Sequence, residues 1–146
     1  MLTLKRTLFW SLSTLLLSTG SAVAADLEVT DARLRLLPGD LPGAGYFTLH
    51  NRGDSAVTLT GAGSEAFSKV MMHVSTEEDG MAKMHRVERV DIDPGEDFTF
   101  APKGHHLMFM QRTKALAVGD SVDVTFTFKA HDPLPVTFDV VSPAAQ

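Results

Sequence analysis

Cysteine is absent from the 146 residues. That excludes disulfides and thiol nucleophiles, so the fold must rest on packing alone. Long apolar runs are missing as well. The most apolar stretch, LFWSLSTLLL at 8–17, is about ten residues, against the ~20 that a membrane-spanning helix needs. Cations are outnumbered: 13 Lys and Arg stand against 18 Asp and Glu, a formal net charge of −5. Such a balance argues against nucleic acid or anionic lipid as the partner. There is no G-x-S-x-G and no H-E-x-x-H, so the chain is expected not to be an enzyme. Beyond the first 25 residues no stretch keeps a 3.6-residue apolar period, and no repeat or low-complexity tract is visible.

What is present begins with a secretory pattern. Lys5 and Arg6 precede the apolar run, and Ala22-Val23-Ala24 precedes Ala25 and Asp26. Basic start, short apolar centre and A-x-A exit predict a signal peptide over residues 1–25, a single domain over 26–146 and export to the periplasm. No Cys follows the run, so a lipid anchor on Cys is not expected. Without residues 1–25, eleven cations face eighteen acids, a net charge near −7. About 120 residues suffice to bury a core without staples.

The rest reads as short strands between turn signals. Strands are predicted at 27–37, 45–51, 56–62, 68–75, 81–90, 97–101, 106–111, 121–129 and 135–141. Punctuation separates them, for example PGDLPG at 38–43, EEDG at 77–80 and DPGE at 93–96. Val122, Val124, Phe126 and Phe128 alternate with Asp123, Thr125, Thr127 and Lys129, the pattern of a strand with one buried face. This spacing predicts an all-β sandwich or small barrel.

Methionine and histidine are clustered. Met71, Met72, Met81, Met84, Met108 and Met110 fall within forty residues, with His73, His85, His105 and His106. A single Met is ordinarily a gap filler in a core; the clustering with His is what points to metal. In His106-Leu107-Met108-Phe109-Met110 alternate side chains share a face. Leu107 and Phe109 are expected inward, His106, Met108 and Met110 outward. Two positions along a strand are about 6.8 Å apart, within reach of one ion. Taking Glu77 to Gly80 as a four-residue loop pairs Thr76 with Met81 and sets His73 opposite Met84; any even-length loop keeps both on one face. Two imidazoles and two thioethers make a soft, neutral donor set that selects copper(I). Zinc sites prefer Cys, His or carboxylate.

The spacing H-x10-M-x21-H-x-M at His73, Met84, His106 and Met108 resembles that of the periplasmic PCuAC-type copper chaperones. GAGYFTLHNRGDSAVTLTGA at 43–62, DGMAKMHRV at 79–87 and APKGHHLMFM at 101–110 are similar to segments of that family, and the likeness runs from about Leu27 to Val141. It implies a cupredoxin-like β-sandwich. It also implies that one copper(I) ion bound by those four residues is delivered toward the CuA centre of cytochrome c oxidase, often alongside a Sco-type thiol protein. The pattern is departed from at Arg33, where the family commonly has Trp nearby, at Lys103, where it has Gly, and at Val74-Ser75-Thr76, where a Met often follows the first His. A His- and Met-rich tail for copper(II) is not expected after Ser142.

Other readings follow from the same residues. An electron-transfer cupredoxin needs a Cys thiolate and is excluded by composition. A zinc site from His105 and His106 with Glu96 or Asp97 fits no familiar spacing. A secreted β-sandwich interaction module without metal transfer is the alternative; it explains fold and export but not the cluster. His50, His85 and His131 read as surface or rim residues, with His85 and His105 the candidates for a role near the site. Met71, Met72, Met81 and Met110 read as core or site wall.

Overall fold

Ten short strands and no helix make up the described part of the chain, residues 26–145 of a computed structural model. The predicted signal peptide lies outside the described residues. The strands are β1 Leu27–Arg35, β2 Gly43–Asn51, β3 Val57–Gly63, β4 Phe67–Glu78, β5 Met81–Val87, β6 Val90–Ile92, β7 Asp97–Phe100, β8 His105–Arg112, β9 Ser121–Lys129 and β10 Leu134–Val141. Hydrogen bonding links them in the order β5-β4-β8-β2-β1-β10-β9-β3-β6, with β7 also paired to β2. All neighbours are antiparallel except β1 and β10, the first and last strands, which run parallel through Arg33–Arg35 and Asp139–Val141. The protein is all-β, a cupredoxin-like sandwich, and no described helix is long and apolar enough to cross a membrane.

The core is aromatic. Phe47 of β2 stacks on Phe100 of β7 at 4.4 Å and meets Phe126 of β9 at 4.7 Å, while Phe109 of β8 meets Phe138 of β10 at 6.0 Å. Phenylalanines from both halves of the strand order thus interlock, which removes apolar area from both inner faces at once. The alternation expected in β9 is present: Val122, Val124, Phe126 and Phe128 are buried and the residues between them exposed. Gly45 matters here, since a Cβ there would lie 2.5 Å from the Phe109 ring. Only glycine lets that ring lie on the β2 backbone.

Two features depart from the sequence expectation. The predicted strand over 81–90 is two strands at opposite ends of the order. β5 is exposed along nearly its whole length, whereas Val90 and Ile92 of β6 are buried against β3. The charged pair Glu88-Arg89 marks the break. The second is the hairpin. β4 continues to Glu78, and the connection is the two residues Asp79 and Gly80, with φ of 53° and 75°. Positive φ at both central residues is a type I′ turn, which Asp-Gly favours and whose twist matches the flanking strands.

Candidate metal centre

Three neighbouring strands, β5, β4 and β8, carry the four predicted ligands. The shorter turn moves the pairing: His73 lies opposite Arg86, and Met84 opposite Ser75. The expected direct His73–Met84 pairing is therefore replaced by a diagonal one. Their common face is kept, because shortening the loop from four residues to two preserves parity. On the other side of β4, His73 lies opposite His106 and Met71 opposite Met108. Directly opposed residues share a face, so all four predicted ligands project from one side. Leu107 and Phe109 point the other way and are buried, as expected.

Met84, His106 and Met108 line one open pocket of about 430 Å³ together with Tyr46, Arg35 and Lys103. His73 is not in that lining. Its ring sits edge-on to His106, centroids 5.9 Å apart at 78°. The His106 ring is nearly buried, and its Nδ1 donates to the Gly104 carbonyl at 3.2 Å. The same carbonyl accepts the Ser75 amide at 3.1 Å. A proton held on Nδ1 leaves Nε2 with a free lone pair, the arrangement that orients a metal-binding imidazole. Nδ1 of His73 is buried and has no hydrogen-bond partner. A polar nitrogen left this way is costly unless something else meets it. Burial, then the neighbouring His106 and Arg86, hold the His73 pKa below the ordinary imidazole value, which favours the neutral, ligating form. Among the described residues no three His, Cys, Asp or Glu side chains are placed to hold a metal.

The remaining candidates separate. Met72 is core and Met71 half-buried on the ligand face, consistent with core and wall. Met110, also half-buried, lies farther along that face opposite Lys69. Met81 is neither core nor wall: it is 64% exposed beside the turn, where nothing packs over β5. His85 pairs with Glu78 at 3.1 Å on the opposite face of β5 from Met84. His105 likewise faces away and packs edge-on against Phe98 at 5.0 Å. Neither reaches the ligand face, because each is one residue out of step with it. His50 is not a plain surface residue: it bridges Asp97 (Nδ1 to Oδ1 2.6 Å) and Thr30 (Nε2 to Oγ1 2.8 Å). Its bond to Asp97 also engages one of the two carboxylates, Glu96 or Asp97, that the zinc reading offered. His131 lies at the rim beside Phe128, 5.4 Å between centroids.

Sequence reasoning missed Tyr46 and Arg35 as pocket residues. They come from β2 and β1, and reach the site through register rather than through chain proximity: Ala44 pairs Met108, Arg35 pairs Ala44 and Arg33 pairs Tyr46. A bulge in β1 between Thr30 and Arg33, with Asp31 at φ 55°, resets that alternation.

Residues 27–140 match the family model LpqE-like, described as "Putative lipoprotein LpqE-like". A protein of Leifsonia xyli subsp. xyli, "Putative lipoprotein Lxx21020", is 28% identical over 98 residues, covering 66% of this chain and 59% of that protein. The chain thus spans about three fifths of the length of the curated relative it matches. Among solved structures, the copper-bound PCuAC domain from PmoF2 aligns with a TM-score of 0.68 at 22% identity, covering 83% of this chain and 97% of that one. The copper(I) form of DR1885 from Deinococcus radiodurans aligns with a TM-score of 0.65 at 27% identity, covering 84% and 83%. These neighbours share the fold; one is described as a copper-bound PCuAC domain and the other as a copper(I) form.

Proposed function

Starting from the LpqE-like family, to which this chain belongs, we propose that it carries one copper(I) ion outside the cytoplasm and passes it to an acceptor protein. His73, Met84, His106 and Met108 are the ligands in this reading. One observation carries it: two thioethers and an imidazole open into a single pocket, while the second imidazole, packed against the first, has a buried nitrogen without a partner. The copper(I) structure of DR1885, at 27% identity, supports the choice of metal. Export in this reading follows removal of residues 1–25, leaving 26–146 as the carrier domain.

The chemistry suits holding and releasing. Four neutral donors satisfy a soft monovalent ion without locking it in. Met84 sits on the edge strand and is 52% exposed, so it is the donor most open to displacement by an incoming sulfur. The ion then changes partners without changing oxidation state, one thioether leaving as one acceptor sulfur binds. The CuA subunit of cytochrome c oxidase, or a Sco-type thiol protein, is the acceptor this reading favours.

Competition against a calibrated copper(I) chelator tests it, on the wild type and on Ala variants of the four residues. One equivalent bound by the wild type and weakened in every variant is expected. A folded wild type that takes up no copper(I) returns the protein to the interaction-module reading.

A further inference from the structure

The donors are ringed by positive charge although the protein as a whole is acidic. Register sets Arg33 and Arg35 of β1, Lys69 of β4 and Arg86 of β5 on the ligand face, and Lys103 joins Arg35 in the pocket lining. On that face in β4, β5 and β8 the one acid is Glu77 near the hairpin tip, and beyond Arg33 Asp139 of β10 lies opposite it. None of the five cations takes part in an ion pair among the described residues; those pairs use His50, Arg52, Lys83 and His85. Arg33 and Arg35 instead rest on the Tyr46 ring, at 5.5 and 5.4 Å, and the Arg35 Nε is buried without a partner. Lys103 holds φ of 68°, a left-handed conformation that glycine adopts freely and lysine does not.

This charge does nothing for the bound ion. With four neutral ligands the copper(I) site keeps a net positive charge, and like charges nearby raise the cost of holding it. A strained lysine and four unpaired cations around a soft-metal site therefore serve something anionic that meets this face. A second copy does not fit, because it would bring the same cations to the contact.

We infer that the face around Met84, His106 and Met108 is a docking surface for an acidic partner protein, whose carboxylates meet Arg35, Lys103 and Arg86 while its copper-binding sulfurs reach the donors. The inference rests on the carrier reading for its purpose, but docking itself needs no metal. Its effect is on encounter: complementary charge accelerates association and loses force as salt rises.

The test uses the purified full-length exported protein and two synthetic peptides. Both carry one Cys-x-x-x-Cys acceptor; one is flanked by four aspartates, the other by four lysines. With ¹⁵N-labelled metal-free protein, the aspartate peptide is expected to shift the amides of Arg35, Ser75, Met84, Lys103 and His106 saturably. Binding should weaken severalfold between about 20 and about 300 mM salt, and the lysine peptide should leave those amides unmoved. Lys103→Glu should abolish most of the shift. Lys103→Gly, which removes the charge and the backbone strain together, should weaken it in a protein at least as stable as wild type. With copper(I) loaded, transfer to the aspartate peptide should exceed transfer to the lysine peptide by roughly tenfold or more at low salt. Equal shifts from both peptides, or unchanged binding by Lys103→Glu, overturns the inference. So does free aspartate reproducing the shifts and displacing the peptide, which would mark a small-anion site. Selective docking by a protein that takes up no copper(I) leaves the surface standing and removes the carrier reading instead.

Discussion

His73 and His106 face each other directly across the β4–β8 pair, and one nitrogen of each is placed differently. Nδ1 of His106 is tied to the Gly104 carbonyl, while Nδ1 of His73 is buried and unpaired. One imidazole is oriented by the backbone and the other is left wanting a partner, which is the asymmetry that a shared ion between them would resolve.

The choice of metal follows from the donors. Met84→Ala and Met108→Ala should weaken copper(I) by at least the roughly 10–100-fold that loss of an outer-shell partner costs a metal site. Zinc affinity should change much less, because zinc seldom uses thioethers. Parallel titrations with both metals check this; equal losses would remove Met84 and Met108 from the ligand set.

Stability should divide between the core and the exposed edge strand. Phe109→Ala, in the core, should cost about 3–5 kcal/mol. Met84→Ala, on the exposed edge strand, should stay within about 0.5 kcal/mol. Gly45→Ala should cost about 1–3 kcal/mol, since its methyl group would press into the Phe109 ring. Urea midpoints at constant m-value measure all three.

Backbone strain gives opposite signs at two positions. Gly80 sits at φ 75° in the hairpin turn, so Gly80→Ala should destabilise by roughly 1–3 kcal/mol and loosen the Met84 hairpin. Lys103 sits at φ 68°, so Lys103→Gly should be neutral or stabilising by up to about 1 kcal/mol. Thermal midpoints of the metal-free variants decide it; a marked loss in Lys103→Gly would mean that the lysine side chain, not the backbone, supports the loop.

The pH dependence of the metal-free protein has a definite sign. Burial first, and His106 next, lower the pKa values of His73 and His105, with Arg86 adding to the effect at His73. Their folded values lie below the unfolded one, so the unfolded chain takes up protons first. Stability should therefore be full above about pH 6.5, fall as pH drops below it, and level off beneath the folded values. Copper(I) affinity should fall in the same direction, with at most two protons competing. Denaturation between pH 5 and 8 with and without His105→Gln measures the first, chelator competition the second.

Residue order alone carried the strand alternation in β9, the inward Leu107 and Phe109, and the common face of His73 and Met84. All three depend on a period of two, which any even shift of register preserves. It could not choose between a two-residue and a four-residue turn until the φ values of Asp79 and Gly80 were known, and so it mispaired Met84 by one step along the diagonal. It joined β5 to β6 because Met81 to Val90 is locally continuous, whereas their separation to opposite ends of the strand order is settled by what Val90 and Ile92 can bury against. Tyr46, Arg33 and Arg35 reach the face of the four candidate ligands only through the β1–β2–β8 register and the bulge after Thr30. Those pairings are non-local, formed by side chains packing across the whole sandwich, and no spacing within a single segment encodes them.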